Sequence, residues 1–127
     1  MYKGDAFSQW LGIRRLEEGP GYCVLEMEVR PEMVNGFGVA HGAITYALAD
    51  SALAFASNSH GRKAVSIETS INHLLPVYTG DILKAVAEET SLSHKLAIYH
   101  IRVLRGEVLV AHFKGVVYRK EEEWSLG

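Results

Sequence analysis

Between Val34 and Lys63 the chain reads VNGFGVAHGAITYALADSALAFASNSHGRK, and from Gly42 to Ser59 the only charged side chain is Asp50. Apolar residues fall on every side of the helix that this run would form. Such a helix has to be enclosed by the rest of the fold, not laid on a surface. It is expected from about His41 to Ser59, with Gly61 as the C′ glycine that ends it. A bilayer span would need roughly 18 to 20 apolar residues, which the run offers on paper. Asp50 at its centre would cost about 2.5–3.5 kcal/mol in a membrane, and Thr45, Ser51, Ser57, Asn58 and Ser59 weaken it further. A buried helix of a soluble domain, with no membrane partner, is the expectation.

With 127 residues the chain has room for one core, so a single domain over 1–127 is expected. DAFSQWLGIRRLE (5–17) sets Phe7, Trp10, Leu11 and Arg14 at helical spacing, which predicts a short amphipathic helix broken by EEGPG at 17–21. In YCVLEMEVRP, Cys23, Leu25, Met27 and Val29 alternate with Val24, Glu26 and Glu28, the pattern of a half-buried strand ending at Pro31. After the long helix, Val65, Ile67, Thr69 and Ile71 alternate with Ser66, Glu68, Ser70 and Asn72. PVYTGD (76–81) is turn chemistry, ILKAVAEETSLS a further strand, and residues 95–118 a hairpin around Arg105, Gly106 and Glu107. EEEWSLG (121–127) reads as a tail. The predicted fold class is α+β: an antiparallel five- to six-stranded sheet wrapped around one long central helix. The open edges of such a sheet ask for self-association.

A net charge of −2, from 13 basic and 15 acidic residues, argues against a nucleic-acid surface. The single cysteine, Cys23, excludes an internal disulfide framework and fits a reducing compartment. MYKGDAFSQWLG holds no apolar segment suited to export, so a cytoplasmic protein is expected. His60, His73, His100 and His112 lack metal-ligand spacing, and no metal or other cofactor is predicted. Without a Gly-x-Ser-x-Gly elbow, serine-hydrolase chemistry is excluded as well.

Asp50 has Tyr46, Ala47, Leu53 and Ala54 as its helical neighbours, none of them basic. A buried carboxylate without a partner is expensive, so either the helix carries a wet stripe or the acid faces a cleft where it is used. His41-Gly42 stands at the helix start, where free N–H groups and the positive dipole end lie. Glycine there would let a ligand oxygen approach the Gly42 N–H, as in an oxyanion hole; an ordinary first turn capped by His41 is the plainer alternative. Gly42 and Asp50 are about 12 Å apart along the axis at ~1.5 Å per residue. One carbonyl cannot reach both on one helix. If both serve one reaction they come from two subunits of a two-fold dimer.

NGFGVAHGAITYALADSALAFA, VSIETSINHLLPVYTGDILKAVAEE and YHIRVLRGEVLVAHFKGVVYR resemble the hotdog-fold acyl-CoA thioesterases, nearest to the phenylacetic-acid-degradation (PaaI-like) family. The resemblance runs from about residue 5 to 119 and implies a homo-oligomer with active sites at a dimer interface, with a dimer and a dimer of dimers (homotetramer) both open. It implies that Asp50 is general base or nucleophile on the thioester carbonyl and that Gly42 gives the oxyanion N–H. Asn35 and His41 would orient substrate and loop, and Ser66 would position water or the carboxylate. Two positions depart from the family pattern: Ala43 replaces a second glycine, and Ala54 a threonine one turn after the acid. A thiolate leaves without an acid to protonate it, so an N–H and a carboxylate suffice.

Coenzyme A phosphates would need cations at the cleft mouth. Arg62 and Lys63 follow the helix, Lys84 follows GDIL, and the resemblance places His94 and Lys95 near the nucleotide. Aryl-acetyl or medium-chain acyl-CoA is the expected substrate, with Phe37, Tyr46, Leu53 and Leu74 as candidate pocket residues that read equally well as core. A hydratase or dehydratase on the same fold, or a non-catalytic acyl-ligand binding module, stays open beside hydrolysis.

Overall fold

The computed structural model describes residues 1–124. In chain order these form α1 (Ala6–Leu11), β1 (Arg14–Gly19), β2 (Tyr22–Glu28), α2 (Gly42–Ser57), β3 (Arg62–His73), β4 (Ile82–Leu92), β5 (Leu96–Arg105) and β6 (Val108–Glu123). The strands make one antiparallel six-stranded sheet in the order β1-β2-β4-β5-β6-β3. It curls around α2, which touches every strand from β2 to β6. This is the expected hotdog arrangement. Among the described residues no helix is long and apolar enough to cross a membrane.

The alternation in the strands explains the curl. Leu25 and Met27 on β2, Leu83, Ala85 and Ala87 on β4, Tyr99, Ile101 and Val103 on β5, and Phe113 on β6 all point inward and are buried. The alanines let the helix lie close, and Gly115 of β6 lets it lie closer still. A Cβ built there would fall 2.5 Å from Leu53 Cδ2. Along α2, Ala43, Tyr46, Asp50 and Ala54 are not fully buried, whereas the residues between them are. Those four lie at helical spacing on one face. The helix is therefore not covered on every side by its own chain: one stripe stays open, with Asp50 at its middle.

The chain differs from the sequence reading at its ends. The helix expected over 5–17 stops at Leu11, because Gly12 takes a left-handed φ of 75° and closes it. Residues 14–19 form instead the edge strand β1, and Pro20-Gly21 is the hairpin turn into β2. Residues 121–123 are not a tail but the end of β6, paired alongside β3, and Trp124 bonds back through its ring nitrogen to Asn58 at 2.8 Å. Positions 125–127 lie outside the described residues. A bulge between Ser66 and Glu68 changes which side of β3 faces inward. Val65 and Ile67, expected to share a face with Thr69 and Ile71, are exposed at 45% and 59%.

Gly115→Ala should force the Leu53 side chain out of place and lower stability by about 1–3 kcal/mol, the usual cost of overpacking a filled core. Chemical denaturation of the two proteins measures it.

Candidate active site

The loop before α2 is folded by its own polar groups. Asn35 Oδ1 accepts from the backbone N–H groups of Phe37 (2.9 Å) and Val39 (3.3 Å), and Asn35 N–H donates to Val39 O at 2.7 Å. Gly38, at φ 79°, supplies the left-handed turn between them. The Asn35 amide nitrogen keeps no partner among the described residues. Phe37, at the tip of the loop, is 92% exposed.

His41 is the N-cap of α2: its Nδ1 accepts from Ala43 N–H at 3.1 Å, which leaves the ring proton on Nε2. Because His41 takes the Ala43 N–H, the Gly42 N–H is left over, exposed and with no acceptor among the described residues. It opens on a cleft of about 350 Å³ lined by Thr45, His73, Leu74, Leu75 and Pro76. His73 Nε2 would meet a Cβ at position 42 at 3.3 Å, so a larger residue there makes the exposed histidine ring give by a few tenths of an ångström.

Asp50 sits in a separate cavity of about 80 Å³ with Leu53, Ala54, Ser57, Ala64, Ser66 and Val117. Its carboxylate makes no hydrogen bond among the described residues. Burial pushes its carboxyl above the ordinary aspartate value, and the negative charge of Asp5 adds to the rise. The β3 bulge aims Ser66 at this cavity, since Thr69 and Ile71 beyond it also face inward: Thr69 bonds Tyr46 at 2.6 Å and Ile71 packs on the core. Asp50 and Ser66 are thus brought together, as are Asn35, His41 and Gly42. Within one protomer the two groups stay two helical turns apart.

The basic residues divide. Arg62 holds the carbonyls of Lys120 (2.7 Å) and Arg119 (2.9 Å) and approaches His94 Nδ1 at 3.5 Å, while His94 Nε2 lies 2.7 Å from Glu121. Lys95 is exposed beside them, its carbonyl bonded to Arg119 N–H at 2.7 Å. Arg62 stands on β3 two residues before Ala64, which lines the Asp50 cavity. Lys63 pairs with Glu122 at 2.7 Å and lies over the Trp124 ring. Lys84 stands apart near the other end of β4, roughly 25–30 Å from the His94 turn at ~3.3 Å per residue.

Sequence reasoning passed over His73 and Asp5. Both reach the site through contacts between distant segments, and no local pattern announces either. Among the proposed pocket residues, Leu74 joins the Gly42 cleft and Leu53 the Asp50 cavity, though Leu53 is also core.

Residues 37–112 match the thioesterase superfamily. A provisionally named esterase of Archaeoglobus fulgidus is 43% identical over 125 residues, 98% of this chain and 81% of that protein. The acyl-coenzyme A thioesterase PaaI of Escherichia coli is 40% identical over 83 residues, 65% of this chain and 59% of that one. The structure of the E. coli PaaI protein, from the phenylacetic acid degradation operon, superposes with a TM-score of 0.96 at 33% identity, over 98% of this chain and 91% of that one.

The raised Asp50 carboxyl has a consequence for stability. An acid whose folded value exceeds its unfolded one resists ionisation in the fold, so it lowers stability as pH rises through that range. Asp50→Asn should therefore melt higher than the wild type at pH 7, with the difference shrinking as pH falls through the raised folded value and gone below about 3.9, the unfolded aspartate value. Thermal melts of both proteins across pH check it.

Proposed function

The chain belongs to the thioesterase superfamily, and on that premise we propose that it hydrolyses acyl-coenzyme A thioesters to the free acid and coenzyme A. One observation carries the reading: the Gly42 N–H and the Asp50 carboxylate are both left without partners, on cavities at two points of one helix. A donor and an acceptor abandoned by the fold are available to a substrate.

In the proposed reaction Asp50 takes a proton from water, and the hydroxide attacks the thioester carbonyl. The negative charge that develops on the carbonyl oxygen is met by the Gly42 N–H, reinforced by the positive end of α2. The tetrahedral intermediate collapses by breaking the carbon–sulfur bond. The thiolate departs and recovers the proton from Asp50 or solvent. Direct attack by Asp50 to form an anhydride uses the same two groups. Partial burial makes Asp50 a stronger base than a solvated carboxylate. Ser66 orients the water or the carboxylate, and Asn35 and His41 hold the loop that presents Gly42.

The distance between Gly42 and Asp50 calls for a two-fold dimer in which Asp50 meets the partner subunit's Gly42. The free edge of β3, with Val65 and Ile67 exposed on it, supports pairing along that strand; two such dimers would pair again as a tetramer. Arg62, His94 and Lys95, grouped where β3 and β6 end, suit the coenzyme A phosphates better than the distant Lys84; Lys63 follows Arg62 on β3 but is paired with Glu122 over the Trp124 ring. By likeness to PaaI, an aryl-acetyl or medium-chain acyl group is the proposed cargo, with phenylacetate degradation as the setting. Hydration chemistry would pair a histidine with the acid, and is less well supported because His41 Nδ1 is already occupied as a cap.

Thiol release from phenylacetyl-CoA should fall by about 10²–10⁴-fold in Asp50→Ala. Gly42→Pro removes the N–H at the first helical position, where proline is tolerated, and should also abolish turnover. Co-refolded in equal amounts, the two inactive chains should recover about a quarter of the wild-type rate. Half of the dimers are then mixed, and each mixed dimer holds one intact site. No recovery would place both groups in one protomer.

A further inference from the structure

α1 has a single turn and a half in which to bury anything, and what it buries is largely polar. Only Ser8 and Leu11 of its residues are buried. Ser8 Oγ meets Ser51 Oγ at 2.7 Å, in a contact closed to solvent between α1 and α2. The Ser8 hydroxyl proton is used elsewhere, donated to Asp5 Oδ2 at 2.7 Å. Ser51 is therefore the donor to Ser8, and the chain runs in one direction, Ser51 to Ser8 to Asp5. Asp5 Oδ1 accepts in turn from the Ser8 N–H at 3.0 Å, as N-cap of α1. The other end of α1 is tied down by Arg30, which donates to Trp10 O (2.6 Å) and Leu11 O (3.0 Å). A short helix is thus pinned at both ends, with its capping carboxylate linked through the Ser8 hydroxyl to the residue that follows Asp50.

We propose that Asp5 is a positioning residue for the hydrolysis, acting on the Asp50 carboxylate through its own negative charge, which the buried Ser8–Ser51 contact between α1 and α2 holds in place. The proposal rests on the reading of Asp50 as the catalytic carboxylate. The groups facing Asp50 from the elements around it are Ala64 and Ser66 of β3, Val117 of β6, and Leu53, Ala54 and Ser57 of α2 itself. None carries charge. Among the described residues Asp5 is the one charged group that bears on it, and it bears with like sign, in the same direction as burial. The fold could have capped α1 with serine or asparagine, which serve equally well. An aspartate at this place adds repulsion to a carboxylate already short of solvent. That cost is useful where the carboxylate has to accept a proton readily.

Asp5→Asn isolates the charge. Asn Oδ1 still accepts from the Ser8 N–H, and its amide can donate to Ser8 Oγ, which then donates to Ser51; the chain reverses without losing a bond. The acid limb of the kcat/KM profile for phenylacetyl-CoA hydrolysis should move to lower pH, with no fall in melting temperature. Asp5→Ser, neutral and also a good cap, should move it the same way. Asp5→Glu keeps the charge and should keep the limb at its wild-type position, even if its melting temperature drops. An unmoved limb in Asp5→Asn and Asp5→Ser, with Asp50→Asn inactive, overturns the role of Asp5 and leaves the catalytic carboxylate standing. An Asp50→Asn protein that still turns over overturns both.

Discussion

α2 is held against the inward face of five strands, and nearly every other feature of the molecule answers to that packing. The helix is too apolar to meet water and too long to be covered by one neighbour. The alanines of β4 and the glycine of β6 give it room to approach. A row of methyl-sized side chains keeps the sheet close enough for Leu48, Leu53 and Phe113 to be buried between helix and strands. The stripe from Ala43 to Ala54 stays only partly covered where it faces the edge strand β3: Tyr46 bonds Thr69, and a small cavity opens between Asp50 and Ala64 and Ser66. Asp50 lies at the middle of this stripe and Gly42 just before its start.

A half-buried carboxylate in such a place works against the fold. It gives up solvation, meets no cation and feels Asp5 nearby. Its compensation is spread through packing elsewhere, as is usual where a strained or destabilised group serves chemistry. The helix start shows the same economy. His41 satisfies one N–H of the first turn, and the next one back, on Gly42, is left to a cleft. Two polar groups are thus withheld from internal bonds, and both lie on the side of the molecule where an edge strand has no neighbour.

The polar frame around the site is more extensive than its reactive groups. Asn35 folds the loop, the β3 bulge turns Ser66 inward, and Arg62 ties the ends of β3 and β6 together where His94 and Lys95 gather. Each contact fixes a position that a substrate with an acyl end and a phosphate end would use. The separation of Lys84 from this group follows from the length of β4: residues near in sequence to one turn of a long hairpin are far from the other.

Long helix, inward alternation and turn glycines were legible because each is a local property. The long helix from Gly42 and its His41 cap needed no knowledge of neighbours, although the α-helix ends at Ser57 with Asn58 as its cap, and Gly61 closes the 3-10 turn Asn58–His60 that follows. Polar edges were not legible. RRLEEG and the EEE of β6 lack any alternation that burial would impose, because edge strands bury little, and so they read as helix and as tail. The β3 bulge reversed the faces of Val65 and Ile67 for a similar reason: one extra residue in a ladder leaves no mark on composition. The sequence by itself determined the helix, the unpaired carboxylate and the glycine at its start, and the distance between them, because rise per residue is a property of the backbone alone. Only the tertiary structure decided which stripe of that helix stays open, that Ser66 shares a cavity with Asp50, and that Asp5 lies beside it. Those neighbours come from the register of strands and the docking of α1, which depend on how the whole core packs and not on any one segment.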